Sequence, residues 1–155
     1  MKKIFISIMA LMFASLTAMA DDKQAAADFF KNYVNAANTY SDTITDMYSP
    51  KAKIIREVVK PDGTLVDVDT DTATYMKQLR LNRSIAKVRK YTNEYRNITV
   101  TPVAKGYKVS SERQPKGETY WLKSYQIVQK QPNGKWLIVE EMMQTKEQIF
   151  LRYAK

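Results

Sequence analysis

The side chains able to do chemistry in this chain are tyrosines, carboxylates and basic groups, because its 155 residues include no His and no Cys. The absence of His removes the commonest general base and metal ligand, and the absence of Cys removes thiol nucleophiles and disulfides. Acid-base chemistry would therefore need Asp, Glu, Tyr or Lys with a shifted pKa. No metal constellation, phosphate-binding glycine loop or nucleotide fingerprint is present, so we predict no metal and no cofactor.

Arg56 is the candidate for binding an anionic group. A guanidinium stays charged in proteins and cannot take a proton, but its planar fork matches a carboxylate or a phosphate. Alternation along a predicted strand puts Arg56 on the face of Ile54 and Val58. The side chain either points into a cavity or lies outward on a half-exposed strand, and the pattern leaves both interpretations open.

Glu140 is the candidate for a carboxylate inside a pocket. It lies in a predicted hairpin from Thr119 to Thr145, whose register is set by pairing Gln131 with Lys135 across the turn. Alternation then places on one face Trp136, Ile138, Glu140 and Met142. On that face Glu140 is either a pocket acid, with a basic partner such as Arg56, or a solvated residue at the open end of the sheet.

Basic residues concentrate between Thr72 and Asn93, a window without any acidic residue. They are Lys77, Arg80, Arg83, Lys87, Arg89 and Lys90. The window is either a solvated surface or a docking patch for an acidic partner or an anionic membrane surface. The formal charge of the whole chain is +9, which also favours anionic partners.

Aromatic residues supply material for a pocket that holds a flat or mixed-polarity ligand. The chain has ten Tyr and two Trp, and residues of this type either line such pockets or pack a core. The residues that we predict to contact a ligand are Tyr33, Tyr48, Arg56, Tyr75, Trp136 and Glu140.

The first twenty residues have the pattern of a signal peptide. Lys2 and Lys3 precede an apolar run from Ile4 to Leu16, and a small-x-small cleavage site ends at Ala20. Cleavage would leave Asp21 as the N-terminus and a periplasmic or secreted protein. No later segment approaches ~18 consecutive apolar residues, so we predict no transmembrane segment. Nucleic acid is a poor partner for an exported chain, and we predict none.

The remaining chain predicts helices and strands in one domain. Apolar residues recur at three- and four-residue spacing from Asp22 to Asn38, which is typical of an amphipathic helix. The other predicted elements are a short helix over Ser41 to Tyr48, strands Lys51 to Val59 and Leu65 to Asp69, a helix from Thr72 to about Asn82, and strands Tyr95 to Val103 and Tyr107 to Arg113 before the last hairpin.

This order of elements resembles the nuclear transport factor two-like superfamily, the α+β fold shared with ketosteroid isomerases and polyketide cyclases. The resemblance covers most of residues 22–145 and rests on FFKNYVNAAN, DMYSPKAKI and PNGKWLIVEE. It implies a cone in which a curved, mainly antiparallel sheet wraps around three N-terminal helices and a central pocket. We accordingly divide the chain into a signal peptide (1–20), the domain (21–145) and a C-terminal tail (146–155).

The resemblance also implies where catalytic residues would lie. Tyr33 falls near the oxyanion-stabilising Tyr of ketosteroid isomerases, although a core Tyr is the plainer interpretation. The general base of those enzymes is an Asp on the following strand, near Arg56, and a one-residue shift would bring Glu57 into that role. The candidates for catalysis are thus Tyr33, Glu57 and Glu140.

Three hypotheses for function remain. The first is an exported, non-enzymatic domain that binds a small anionic or polar-aromatic ligand, because His, Cys and a matched base are absent. The second is an isomerase- or cyclase-type enzyme using Tyr33 with Glu57 or Glu140. The third is a protein-interaction module that uses the sheet face and the basic helix.

The second face of the last hairpin predicts an assembly. Its apolar members, Tyr125, Ile127, Leu137 and Val139, would form a patch of the kind that marks a contact surface. We predict a homodimer that buries this patch, as proteins of the resembled superfamily often form. The alternative cover is the C-terminal tail, through Ile149, Phe150 and Tyr153.

Overall fold

The computed structural model describes the backbone of residues 2–154 and the side chains of residues 17–154. Its elements in chain order are α1 (Lys2–Asn38), a first 3-10 helix (Asp42–Met47), β1 (Tyr48–Val59), β2 (Leu65–Thr70), α2 (Thr72–Val88), β3 (Asn93–Val103), β4 (Gly106–Pro115), β5 (Leu122–Lys130), β6 (Trp136–Thr145) and a C-terminal 3-10 helix (Gln148–Tyr153). In the part described, no helix has the length and apolar character needed to cross a membrane.

The six strands form one curved, unclosed sheet in the order β2-β1-β6-β5-β4-β3. Every neighbouring pair is antiparallel except β1 and β6, which run parallel. α1 packs against β3 and β4, and α2 packs against β1, so both helices lie on the concave face. The predicted α+β architecture, with helices inside a curved and mainly antiparallel sheet, is confirmed.

Local sequence accounts for most element boundaries. Asp69, Asp71 and Thr72 are the candidate caps before α2 in the sequence. In the structure Asp71 begins α2, and its side chain accepts a hydrogen bond from the Thr74 backbone N–H. α2 continues to Val88, six residues past Asn82 and inside the range from Asn82 to Lys90 in which the sequence leaves the switch to a strand open. Ile85 and Val88 extend the helix, as their spacing allows, but they face solvent instead of the core.

The β5-β6 hairpin has the predicted turn. The Gln131 N–H donates to the Lys135 carbonyl at 2.8 Å, and Gly134 has the positive φ of +82° that the turn requires. The predicted pairing of Gln131 with Lys135 is therefore confirmed.

A β-bulge in β6 changes which side chains face inward. Ile127 pairs with Glu140 but Val128 pairs with Ile138, so Val139 is an extra residue on β6. One extra residue moves every following side chain to the other face of the sheet. The concave face consequently carries Trp136, Ile138, Glu141 and Met143, and the predicted position of Glu140 and Met142 on that face is wrong.

Candidate ligand-binding site

A pocket of about 390 Å³ lies between α1, α2 and the concave face of the sheet. Its inner wall includes the buried Tyr33, Tyr75 and Arg113 and the half-buried Arg56 and Tyr95. Its more exposed lining includes Tyr40, Ile44, Arg83, Tyr91 and Phe150. The wall is therefore aromatic with two guanidinium groups, and every helix of the fold contributes to it.

Glu141 is a buried carboxylate directly behind this wall, with 1% of its surface exposed. Its Oε2 accepts from the Tyr48 hydroxyl at 2.7 Å and from Gln126 Nε2 at 2.9 Å. Its Oε1 accepts from the Tyr75 hydroxyl at 3.1 Å. Three donors, one each from β1, β5 and α2, thus hold one carboxylate of β6. These hydrogen bonds tie α2 and β1 to the centre of the sheet.

Tyr33 reaches Glu141 through Tyr48. The two phenol oxygens lie 3.3 Å apart. Tyr48 is the donor toward Tyr33 as it is toward Glu141, so its one proton is shared between two acceptors, with the shorter contact to Glu141. Tyr33 therefore lines the pocket as an acceptor from Tyr48.

Arg56 is the cation that faces Glu141. Its Nη1 lies 4.0 Å from Glu141 Oε1, and its Cζ lies 4.6 Å from the centroid of the Tyr75 ring. Burial works against the charged guanidinium, but Tyr75 and Glu141 outweigh it, so the pKa of Arg56 lies above its ordinary value. Nη1 makes no hydrogen bond within the part of the chain described.

Arg113 is a second buried cation, and its partners are neutral. Nη1 donates to Asn93 Oδ1 at 2.8 Å and Nη2 donates to the Gln144 carbonyl at 2.9 Å, while Nε is buried without a partner among residues 17–154. No carboxylate lies within 4.0 Å of it in that range. A buried charge normally has an ionic partner, so Arg113 leaves positive charge uncompensated at the pocket wall.

The tyrosines around Glu141 are held neutral. Burial, and then the nearby charge of Glu141, raises the pKa of Tyr75 to about 12 and raises the pKa of Tyr33 and Tyr48 well above the usual value. Burial likewise raises the pKa of Tyr95. These phenols can donate hydrogen bonds to a ligand or to one another, but they cannot serve as bases near neutral pH.

The raised pKa of Tyr75 predicts a loss of stability in alkali. The pKa of Tyr75 in the folded state lies above its unfolded value of about 10, so the neutral phenol stabilises the fold. This contribution to the free energy of unfolding, about 3 kcal/mol, is complete below pH 10 and is lost between pH 10 and 12. Urea unfolding across this range should show a shallower pH slope for Tyr75→Phe than for the parent chain. The exposed Tyr153 provides the control. If Tyr153→Phe gave a pH slope as shallow as that of Tyr75→Phe, the alkaline loss of stability could not be assigned to Tyr75.

The structure brings together three of the residues predicted to bind a ligand: Tyr33, Arg56 and Tyr75 line the pocket. Tyr48 lies behind them as a donor to Glu141. Trp136 lies apart from this pocket, half-buried and packed against the Tyr107 ring at 6.2 Å.

The two predicted carboxylates lie on the convex face. Glu57 Oε1 accepts from Gln144 Nε2 at 2.6 Å, and Glu140 Oε1 accepts from the Tyr125 hydroxyl at 2.6 Å. Neither residue lines the pocket. Glu57 is turned away because it follows Arg56 on the strand, and Glu140 is turned away by the β-bulge at Val139.

Sequence reasoning missed the two charged residues Glu141 and Arg113, and also the lining tyrosine Tyr95. Glu141 could not be found from alternation, because the bulge precedes it. Arg113 had a usable signal: it continues the alternation of Tyr107, Val109 and Ser111, all of which are buried. An arginine in phase with buried residues should have been weighed as a pocket residue.

No protein-family model and no curated protein matches this chain. Solved structures do match. A nuclear transport factor two-like protein with a cystatin-like fold from Novosphingobium aromaticivorans has a TM-score of 0.60 at 10% identity, over 87% of this chain and 88% of that one. Nuclear transport factor 2 from Cryptosporidium parvum gives 0.56 at 12% identity, over 78% and 91%. A candidate ketosteroid isomerase from Shewanella frigidimarina gives 0.55 at 15% identity, over 77% and 94%.

Proposed function

We propose that this chain, which has the nuclear transport factor two-like fold, binds a small anionic ligand in the pocket between α1, α2 and the sheet. The observation that carries the proposal is Arg113, a buried guanidinium with neutral partners and one nitrogen unpaired. Arg56 adds a second guanidinium nitrogen without a hydrogen bond. A carboxylate on the ligand would supply the missing negative charge beside these two guanidinium groups.

The rest of the lining favours a ligand with an aromatic or apolar body. Tyr33, Tyr75 and Tyr95 form the inner wall, and Leu79 and Phe150 add apolar surface. A pocket of about 390 Å³ falls in the range used by proteins that enclose small molecules. An aromatic carboxylate fits this combination of flat apolar walls and a cationic end.

The arrangement supports binding over catalysis. The carboxylate behind the inner wall is that of Glu141, and its oxygens already accept three hydrogen bonds. Glu57 and Glu140 lie on the other side of the sheet, where they accept from Gln144 and Tyr125. Glu147 also lines the pocket, but it is exposed to solvent, whereas an isomerase-type site would need a shielded carboxylate in reach of the substrate.

The test is a comparison of two nearly isosteric probes, 2-naphthoate and the neutral 2-naphthamide, by isothermal titration calorimetry. A hydrogen-bonded charge is worth about 1.5 to 3 kcal/mol, so the carboxylate should bind at least about tenfold more tightly than the amide. Equal affinity for the two probes would refute the proposal that the pocket prefers an anion. Failure of both to bind would refute the proposal that it accepts a ligand with an aromatic body.

Export is part of the proposal, supported by the signal-peptide pattern of residues 1–20. We expect the mature protein from its native host to begin at Asp21 and to be found in the periplasm or the medium. N-terminal sequencing decides this. Recovery of a cytosolic species that retains Met1 would contradict export.

We also propose a homodimer through the convex face. Tyr125, Ile127, Leu137 and Val139 are half-exposed there, and the C-terminal 3-10 helix contacts β1 and β2 instead of β5. In sedimentation, the parent chain should be a dimer and Leu137→Lys a monomer, because a buried ammonium without a partner is costly. Ile98→Lys, on an exposed edge-strand position, should remain dimeric. A dimeric Leu137→Lys chain would place the interface elsewhere.

A further inference from the structure

One side of α2 carries large apolar side chains that face solvent. Leu81, Ile85 and Val88 are 64%, 52% and 83% exposed. Their spacing of four and three residues places them in one ridge along the helix. The opposite side of α2 carries Tyr75 and Leu79, which face the pocket. We call the solvent-facing ridge formed by Leu81, Ile85 and Val88 the outer ridge.

Basic side chains flank the outer ridge. Lys77, Arg80 and Lys87 are exposed on α2, and Arg89 and Lys90 follow at its C-terminal end. Their window contains no acidic residue. The ion pairs described for residues 17–154 neutralise none of these five, and Lys116 adds a further ammonium by donating to the Lys90 carbonyl at 3.0 Å.

We propose that the outer ridge of α2 docks onto an anionic lipid bilayer surface. A helix with apolar residues along one side and Lys and Arg beside them is the arrangement that lies in a membrane interface, with apolar side chains at the acyl boundary and cations at the headgroups. A second copy of the chain is a poor occupant, because two such faces would bring like charges together.

Docking in this way would set the pocket beside the membrane. Arg83 and Tyr91, which line the more exposed part of the pocket, belong to the same helix and the segment after it. Docking through the outer ridge and its flanking charges does not depend on which ligand the pocket holds.

The absence of Cys from the chain allows a local test. A fluorophore sensitive to polarity, such as NBD, is attached to Val88→Cys in the full chain, and in a second preparation to Ile98→Cys on β3. Both positions are exposed, so neither change removes a core contact. The probes are vesicles of phosphatidylcholine alone and vesicles with about 30% phosphatidylglycerol, which is anionic. Because the readout is local, binding through residues 1–20 alone would leave the label at position 88 in water.

We expect NBD emission at position 88 to rise about threefold or more with the anionic vesicles, to rise little with the neutral ones, and to fall back at high salt. The label at position 98 should not respond. The combined variant Lys77→Gln, Arg80→Gln, Lys87→Gln should reduce partitioning of the position-88 label by roughly tenfold or more. No rise at position 88, an equal rise at position 98, or unchanged partitioning of the charge variant would each overturn the proposal.

Discussion

Replacing Glu141 by Gln should lower the free energy of unfolding by about 3 to 5 kcal/mol, because it removes the anion from a buried ion pair and leaves the cation behind. Arg56 Nη1 lies 4.0 Å from Glu141 and makes no hydrogen bond among residues 17–154, so no neighbour replaces the lost charge. The Gln amide would also turn one donor toward Tyr48, Tyr75 or Gln126, each of which now donates to the carboxylate.

The neighbouring residue provides the matched control. Glu140→Gln makes the same chemical change one position earlier, on the convex face, where the carboxylate accepts from Tyr125 and no cation is buried against it. Its effect should be within about 1 kcal/mol. Urea unfolding of the two variants measures the difference. Similar destabilisation by both changes would show that Glu141 and its contacts with Arg56 and the three donors do not hold the fold together.

Replacing Arg113 by Met should weaken binding of 2-naphthoate by about tenfold to a hundredfold, which corresponds to losing one hydrogen-bonded charge. The variant keeps a long apolar side chain, so the volume of the pocket changes little. Binding of 2-naphthamide should be nearly unaffected, because it has no charge to pair. The variant should therefore lose discrimination between the two probes more than it loses affinity for the aromatic body.

The control for this prediction is Arg96→Met. Arg96 is half-exposed, is paired with Glu112 at 2.7 Å and lies over the Trp121 ring, away from the pocket. Its removal should leave both affinities unchanged, which excludes a general effect of lowering the net charge. Arg113→Lys should keep part of the discrimination, since it keeps the charge but not the fork. An Arg113→Met chain that still prefers the carboxylate as strongly as the parent would place the anion site elsewhere.

The sequence by itself determined those features that depend on neighbours along the chain. The helical spacing up to Asn38, the cap at Asp71 and the turn between Gln131 and Lys135 all reappear in the structure. Each rests on hydrogen bonds and backbone preferences spanning a few residues, so the sequence specifies it directly. Their order was enough to predict the α+β fold.

Only the tertiary structure decided which carboxylate is inside. The bulge at Val139 depends on how β6 pairs with β5, and it shifts the inner face from Glu140 to Glu141. No pattern within β6 reveals it, because both registers place apolar side chains on each face. α2 shows the same limit, since Ile85 and Val88 have the residue types of a core and yet face solvent. Burial is a property of the partners that cover a residue, and those partners come from distant parts of the chain.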